Sequence, residues 1–241
     1  MKPETASSTV KQMRHASPPH GESPGLLGLI LDCDGVLFDS KDANVAYYNR
    51  IRYALHLPPM SHEEEDTSHM LSTEQVIECM IPAHLRKEAA IVRDSLRYRD
   101  NFMSLMRPSP FVFEFLQNMT CKGLRLALFT NRSDSVHDVL AHFDMEYFAP
   151  VMTISLVQPK PNPQGIDEIL SIWGVPKSSV AFLGDSLVDQ LAASAADIPF
   201  WSFKNQRLTA DLHVSNFKKL NDLLDPLLPL STTEEKSGSH C

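Results

Sequence analysis

The chain has 241 residues, 43% hydrophobic and 22% charged. This is a globular composition that excludes disorder along the whole length and leaves room for one core domain with a smaller insertion. Thirty acidic residues against 22 basic ones give a formal charge of −8, which repels phosphate backbones and anionic bilayers, so neither nucleic acid nor a membrane is an expected partner.

Residues 1–24 mix Ser, Pro, Lys, Glu and His without apolar periodicity, and ordering them would cost backbone entropy for little burial; a disordered tail is expected. They contain no apolar segment of the kind a secretory leader needs, and no apolar run in the chain approaches the roughly 18 residues of a membrane span, so a cytoplasmic location is expected. The first structural signal is Leu26 to Leu31, a short apolar run ending in acids, as in a strand buried on both faces of a parallel sheet.

From about Lys41 to Met106 the pattern is helical, without a convincing strand. Val45, Tyr48, Ile51, Arg52 and Leu55 predict one amphipathic helix, Val76 to Met80 a short one and Leu85 to Leu105 a long one. Asp39 and Ser40 read as capping residues for the first of these. His62 and His69 bracket Glu63 to Asp66, but the spacing is not HExxH, and the run reads as solvated surface. Arg86, Arg93 and Arg97 recur at helical spacing on what reads as a solvent face, from which one could attract an anion.

Beyond residue 107, strands and helices alternate. Leu124–Phe129, Val151–Leu156 and Val180–Leu183 read as strands, and helices are signalled after Ser109-Pro110, Ser133 and Asn162-Pro163. This predicts an α/β fold, a doubly wound Rossmann-like parallel sheet with ligands bound beyond the carboxyl ends of its strands. The expected organisation is a core of residues 25–40 and 108–230, a helical cap of residues 41–107, and a frayed C-terminus over 231–241. The glycines form neither a dinucleotide fingerprint nor a P-loop. Cys33, Cys79, Cys121 and Cys241 are widely spaced without a CxxC pair, which predicts reduced, mostly buried thiols.

Four segments could carry chemistry. Asp32 and Asp34 stand one residue apart at the end of the first strand; Thr130 and Asn131 follow the strand ending at Phe129; Lys160 lies between prolines in Gln158–Pro163; and Asp185 and Asp189 follow Gly184. Two carboxylates about 4 Å apart at an effective dielectric near 20 repel by roughly 4 kcal/mol, so a site gathering these acids calls for a divalent cation. Oxygen-only ligation alongside phosphate favours Mg²⁺. A hydroxyl and backbone N–H groups emerging before a helix suit phosphoryl oxygens.

In this order the four segments resemble the motifs of the haloacid dehalogenase-like hydrolase superfamily: Asp32 to Ser40 is similar to its first, Thr130-Asn131 to its second, Lys160 to its third, and Gly184-Asp185 with Asp189 to its fourth. The helical insertion resembles the cap of the phosphoglycolate-phosphatase-like branch. The resemblance implies a phosphomonoesterase acting on a small phosphorylated metabolite through an aspartyl-phosphate. Asp32 would be the nucleophile and Asp34 the general acid and base; Thr130, the Asn131 amide and Lys160 would hold the phosphoryl group. Mg²⁺ would be held by the Asp32 carboxylate, the Asp34 carbonyl and Asp185, with Asp189 acting through water or by positioning Lys160. An acid two residues after the nucleophile separates ester-cleaving members from the dehalogenase and phosphonatase branches. A β-phosphoglucomutase-like sugar phosphomutase uses the same residues, and a phosphorylation-dependent signalling module is the alternative from another class. The sequence assigns no oligomeric state.

Overall fold

The computed structural model describes residues 25–68 and 71–228. The expected tail, the expected frayed C-terminus, His69 and Cys241 lie outside the described residues. Strand β1 (Gly28–Leu31) leads through a tight turn into β2 (Phe38–Asp39), and helix α1 (Lys41–Ala54) opens the insertion. There follow α2 (His62–Ser68), α3 (Thr73–Met80), α4 (Arg86–Ser95) and α5 (Tyr98–Asn101), and the chain returns through β3 (Arg107–Pro108). Strands β2 and β3 pair antiparallel, Phe38 with Pro108 and Asp39 with Arg107. The remainder runs α6 (Val112–Cys121), β4 (Arg125–Phe129), α7 (Ser135–His142), β5 (Val151–Met152), α8 (Gln164–Trp173), β6 (Val180–Gly184), α9 (Leu187–Ala196), β7 (Phe200–Phe203), β8 (Leu212–Val214) and α10 (Phe217–Leu224).

The main sheet is parallel throughout, in the order β5-β4-β1-β6-β7-β8. Alternation along each strand feeds two cores. Leu29 and Leu31 of β1, with Leu126, Leu128 and Leu183, face α6, α7 and α10, whereas Ile30, Ala127, Phe129 and Phe182 face α8 and α9. Leu31 pairs with both Leu128 and Leu183, so the chain leaves β1, β4 and β6 at one level of one sheet edge. After β5 the chain crosses from one side of β1 to the other, the switch point at which open α/β sheets bind ligands.

Several local readings are corrected. The long helix expected over Leu85–Leu105 is broken, because Leu96 and Arg97 take extended backbone. Tyr98 and Phe102 pack edge-on or tilted against Tyr47 and each other, with ring centroids 5.4 to 5.7 Å apart, and this packing overrides helical continuity. The acidic run keeps the solvated surface expected of it, with His62, Glu63 and Asp66 exposed, but it is helical, as α2, and Glu64 pairs with Arg52 at 2.9 Å. The strand expected to reach Leu156 stops at Met152, while β8 and α10 had no counterpart in the periodicity. Ser109 does not cap α6: its hydroxyl donates to the Val36 carbonyl at 2.6 Å, and the helix starts after Phe111 at φ 65°. Of the described cysteines Cys33 is buried, Cys121 partly so and Cys79 exposed, so the described thiols are not mostly buried.

Candidate active site

The turn after β1 is shaped by Gly35. The Leu37 amide donates to the Cys33 carbonyl at 3.0 Å and the Gly35 amide to the Phe38 carbonyl at 2.8 Å. Gly35 sits at φ +78°, and a Cβ there would lie 2.0 Å from Asp185 Oδ2, so glycine is required both for the backbone and for the approach of that carboxylate. Cys33 turns into the core and is fully buried, which pushes its thiol pKa well up, Asp34 adding to the effect; its role is packing.

Asp32, at the end of β1, is buried, and its Oδ1 lies 2.6 Å from Lys160 Nζ. Lys160 Nζ also donates to Asp189 Oδ1 at 2.7 Å and rests 5.5 and 5.6 Å from the ring centroids of Phe129 and Phe182. Asn131 holds this lysine from behind: its Oδ1 accepts from the Lys160 amide at 2.7 Å, and its Nδ2 donates to the Lys160 carbonyl at 3.3 Å. Thr130 is buried beside it and its hydroxyl accepts from the Arg132 amide at 3.1 Å.

Asp189 is fully buried in the first turn of α9. Its second oxygen accepts from the amides of Asp185 and Ser186 at 3.2 and 3.0 Å and from the Ser186 hydroxyl at 2.5 Å. Both oxygens are therefore engaged, which fits the positioning of Lys160 better than metal ligation. Asp185 is half-buried, its carbonyl tied to Asn205 Nδ2 at 2.9 Å. Its carboxylate accepts no hydrogen bond from a described residue.

Oxygen atoms of Asp32, Asp185 and Asp189 all lie within 4.8 Å of one another. Burial pushes Asp32 up to about 7 against the pull of Lys160, with Asp189 and Asp34 adding to the rise. Asp185 is raised well above the carboxylate range, by burial first and then by Asp189 and Asp32. Burial would lower Lys160, but Asp189 and Asp32 outweigh it and hold the ammonium above its ordinary value. Three carboxylates share one ammonium, and this surplus of negative charge with an all-oxygen donor set suits a hard divalent cation held by Asp32 and Asp185.

A cavity of about 390 Å³ lies between this sheet edge and the insertion, lined by Asp32, Asp34 and Lys160 from one side and Asn44, Arg93 and Tyr98 from the other. Asn131 also lines it, whereas Thr130, Asp185 and Asp189 do not. Of the three arginines on the expected solvent face, only Arg93 reaches the cavity. Asp34 is gripped by Arg132, whose Nε and Nη2 donate to its two oxygens at 2.7 Å each. Ser40 stands at the start of α1, yet its hydroxyl donates to Asp34 Oδ1 in place of capping the helix. Asn44, Tyr98 and Arg132 had no assigned role in the sequence: only Arg132 adjoins a motif, and the other two reach the site by tertiary packing.

Comparison with known proteins bears on the family and the fold. Residues 29–203 match the family model described as haloacid dehalogenase-like hydrolase. A phosphoglycolate phosphatase of Shigella boydii serotype 4 is 28% identical over 244 residues, covering 88% of this chain and 96% of the relative. The solved structure of a haloacid dehalogenase superfamily hydrolase from Geobacter sulfurreducens is 32% identical, with a TM-score of 0.68, covering 85% of this chain and all of that one. A haloacid dehalogenase-like family hydrolase from Streptococcus pneumoniae shares the fold, with a TM-score of 0.71 at 15% identity over 83% of this chain and 98% of that one.

Proposed function

The chain belongs to the haloacid dehalogenase-like hydrolase family, and from that premise we propose that it is a Mg²⁺-dependent phosphatase that hydrolyses a small phosphorylated metabolite through an aspartyl-phosphate. The observation that carries the reading is the contact of Lys160 with both Asp32 and Asp189, at 2.6 and 2.7 Å, beside the Asp185 carboxylate. One carboxylate oxygen, an ammonium and further acids at a strand edge suit a nucleophile whose charge must be balanced and whose direction must be fixed.

In this reading Asp32 attacks phosphorus: its oxygen–phosphorus bond forms as the bond to the departing alcohol breaks. Asp34 gives a proton to that alcohol and later takes one from the water that cleaves the aspartyl-phosphate. Lys160, locked by Asp189 and by the Asn131 clasp, faces the phosphoryl oxygens and neutralises part of their charge. Thr130 and the Asn131 amide hold those oxygens at the end of β4. Asp32, Asp185 and the Asp34 carbonyl would hold Mg²⁺. When bound, the cation shields the anionic nucleophile from its anionic substrate. Residues 41–107 act as a cap, hinged at the β2–β3 pair, that excludes water and chooses the substrate.

The similarity to phosphoglycolate phosphatases makes phosphoglycolate the first substrate to test. A panel of phosphoglycolate, sugar phosphates and aryl phosphates, ranked by kcat/KM from phosphate release with Mg²⁺ supplied, is expected to single out one small monoester. Isomerised sugar phosphate without phosphate release would point to a mutase, and a stable phosphoprotein without turnover to a signalling module. Either result would replace this reading.

A further inference from the structure

Arg132 follows the Thr130-Asn131 pair, and the chemistry above makes no use of it. Its side chain is 9% exposed, and it meets Asp34 as a fork, Nε on Oδ2 and Nη2 on Oδ1. The guanidinium carbon stands 4.8 Å from the centroid of the Tyr98 ring. Its Nη2 also reaches Asn44 Oδ1 and the Tyr98 hydroxyl at 3.1 Å each, and that hydroxyl donates to Asn44 Oδ1 at 2.9 Å. Asn44 lies on α1 and Tyr98 on α5, so the arginine comes from the core while its supports come from the insertion. Asn44 Nδ2 lies 3.4 Å from Asp34 Oδ1 as well.

The torsion that turns an Asp carboxylate has a broad, two-fold potential, so the chain alone does not fix the plane of Asp34. A bidentate guanidinium does fix it, because two parallel bonds define a plane, whereas one ammonium defines only a point. The cation–π contact with Tyr98 and two more acceptors in turn hold the guanidinium.

We propose that Arg132 is a positioning residue that sets the plane of the Asp34 carboxylate for proton transfer, and that Tyr98 and Asn44 make this setting depend on the docked insertion. This rests on the reading of Asp34 as the acid that protonates the leaving alcohol. The step served is the first one: the Asp32 oxygen–phosphorus bond forms, the bond to the alcohol breaks, and the alcohol oxygen takes the Asp34 proton. The later attack of water restores that proton.

The test compares kcat/KM for p-nitrophenyl phosphate, whose leaving group needs little protonation, with that for phenyl phosphate, a close match in shape that needs more. Arg132→Gln is expected to lose about tenfold more on phenyl phosphate than on the nitrophenyl ester, within the range of general acid catalysis. Arg132→Lys is expected not to restore the ratio, and Tyr98→Phe to shift it the same way by a smaller factor. Asp34→Asn combined with Arg132→Gln is expected to be no slower than Asp34→Asn alone. Equal losses on both esters, multiplied losses in the double variant, or full rescue by lysine would overturn the inference. If Arg132→Gln does not fold, Tyr98→Phe carries the test by the same ratio. A wild-type chain that releases phosphate from neither ester nor from any monoester of the panel above, with Mg²⁺ present, would overturn the phosphatase reading and the inference together, whereas an active wild type with equal losses overturns the inference alone.

Discussion

Asp32 is buried in contact with Lys160 and close to two further carboxylates. Asp32→Asn keeps the shape and removes the charged oxygen, so hydrolysis of an aryl phosphate is expected to fall by at least about a thousandfold with the near-ultraviolet circular dichroism unchanged; retained turnover would misplace the nucleophile. The charge itself has a cost. Asp32 binds its proton more tightly folded than unfolded, with its pKa raised from 3.8 to about 7, chiefly by burial. Its contribution to stability is therefore whole below the unfolded value and lost as pH rises through about 7. In chelator, the melting temperature of the wild type relative to Asp32→Asn is expected to fall across that window, and Mg²⁺ added at pH 8 to recover more of it than at pH 5. A wild type that gains on the variant as pH rises would refute the account. The acids at strand ends and Lys160 between prolines were legible because burying charge there needs a reason. Asn44 and Tyr98 were not, because nothing along the chain says that residues 54 apart will meet over one arginine.

The strands are the elements that the sequence announced best. Leu26–Leu31, Leu124–Phe129 and Val180–Leu183 are mostly apolar runs, and β1, β4 and β6, buried on both faces apart from Arg125, fall inside or almost match them. Short elements that depend on partners were less legible: β8 has only three residues, and α5 exists as a separate turn because Tyr98 and Phe102 seek Tyr47. The turn after β1 makes its own prediction. Gly35→Ala would hold alanine in a left-handed conformation, at a cost of about 1–2 kcal/mol, and would push against Asp185. The variant is expected to unfold at lower urea and to need more Mg²⁺ for half-maximal phosphatase activity. Loss of stability with an unchanged Mg²⁺ requirement would show that the glycine serves only the backbone.

At the scale of the molecule, the sheet order decides where everything meets. With β1 between β4 and β6, Asp32, Thr130 and Asp185 leave neighbouring strands at one edge, and the insertion between β2 and β3 supplies the other wall of the cavity. That architecture was foreseeable from the alternation of strands and helices, because few topologies satisfy it. The insertion's tilt and the residues it presents were not, since amphipathic periodicity says which face is buried and not what lies across from it. No helix among the described residues is long and apolar enough to cross a membrane.

The central place of β1 also has a temporal side. It is the first of the described strands to leave a ribosome, yet its partner on one flank, β6, begins only at Val180. Throughout the synthesis of the intervening chain, one side of an apolar strand offers unsatisfied amides and carbonyls to any neighbour. Nascent chains arrested before β6 emerges should accordingly be held by chaperones or aggregate, and those arrested well past β7 should be released and resist protease; early protease resistance would mean that β1 finds a temporary partner.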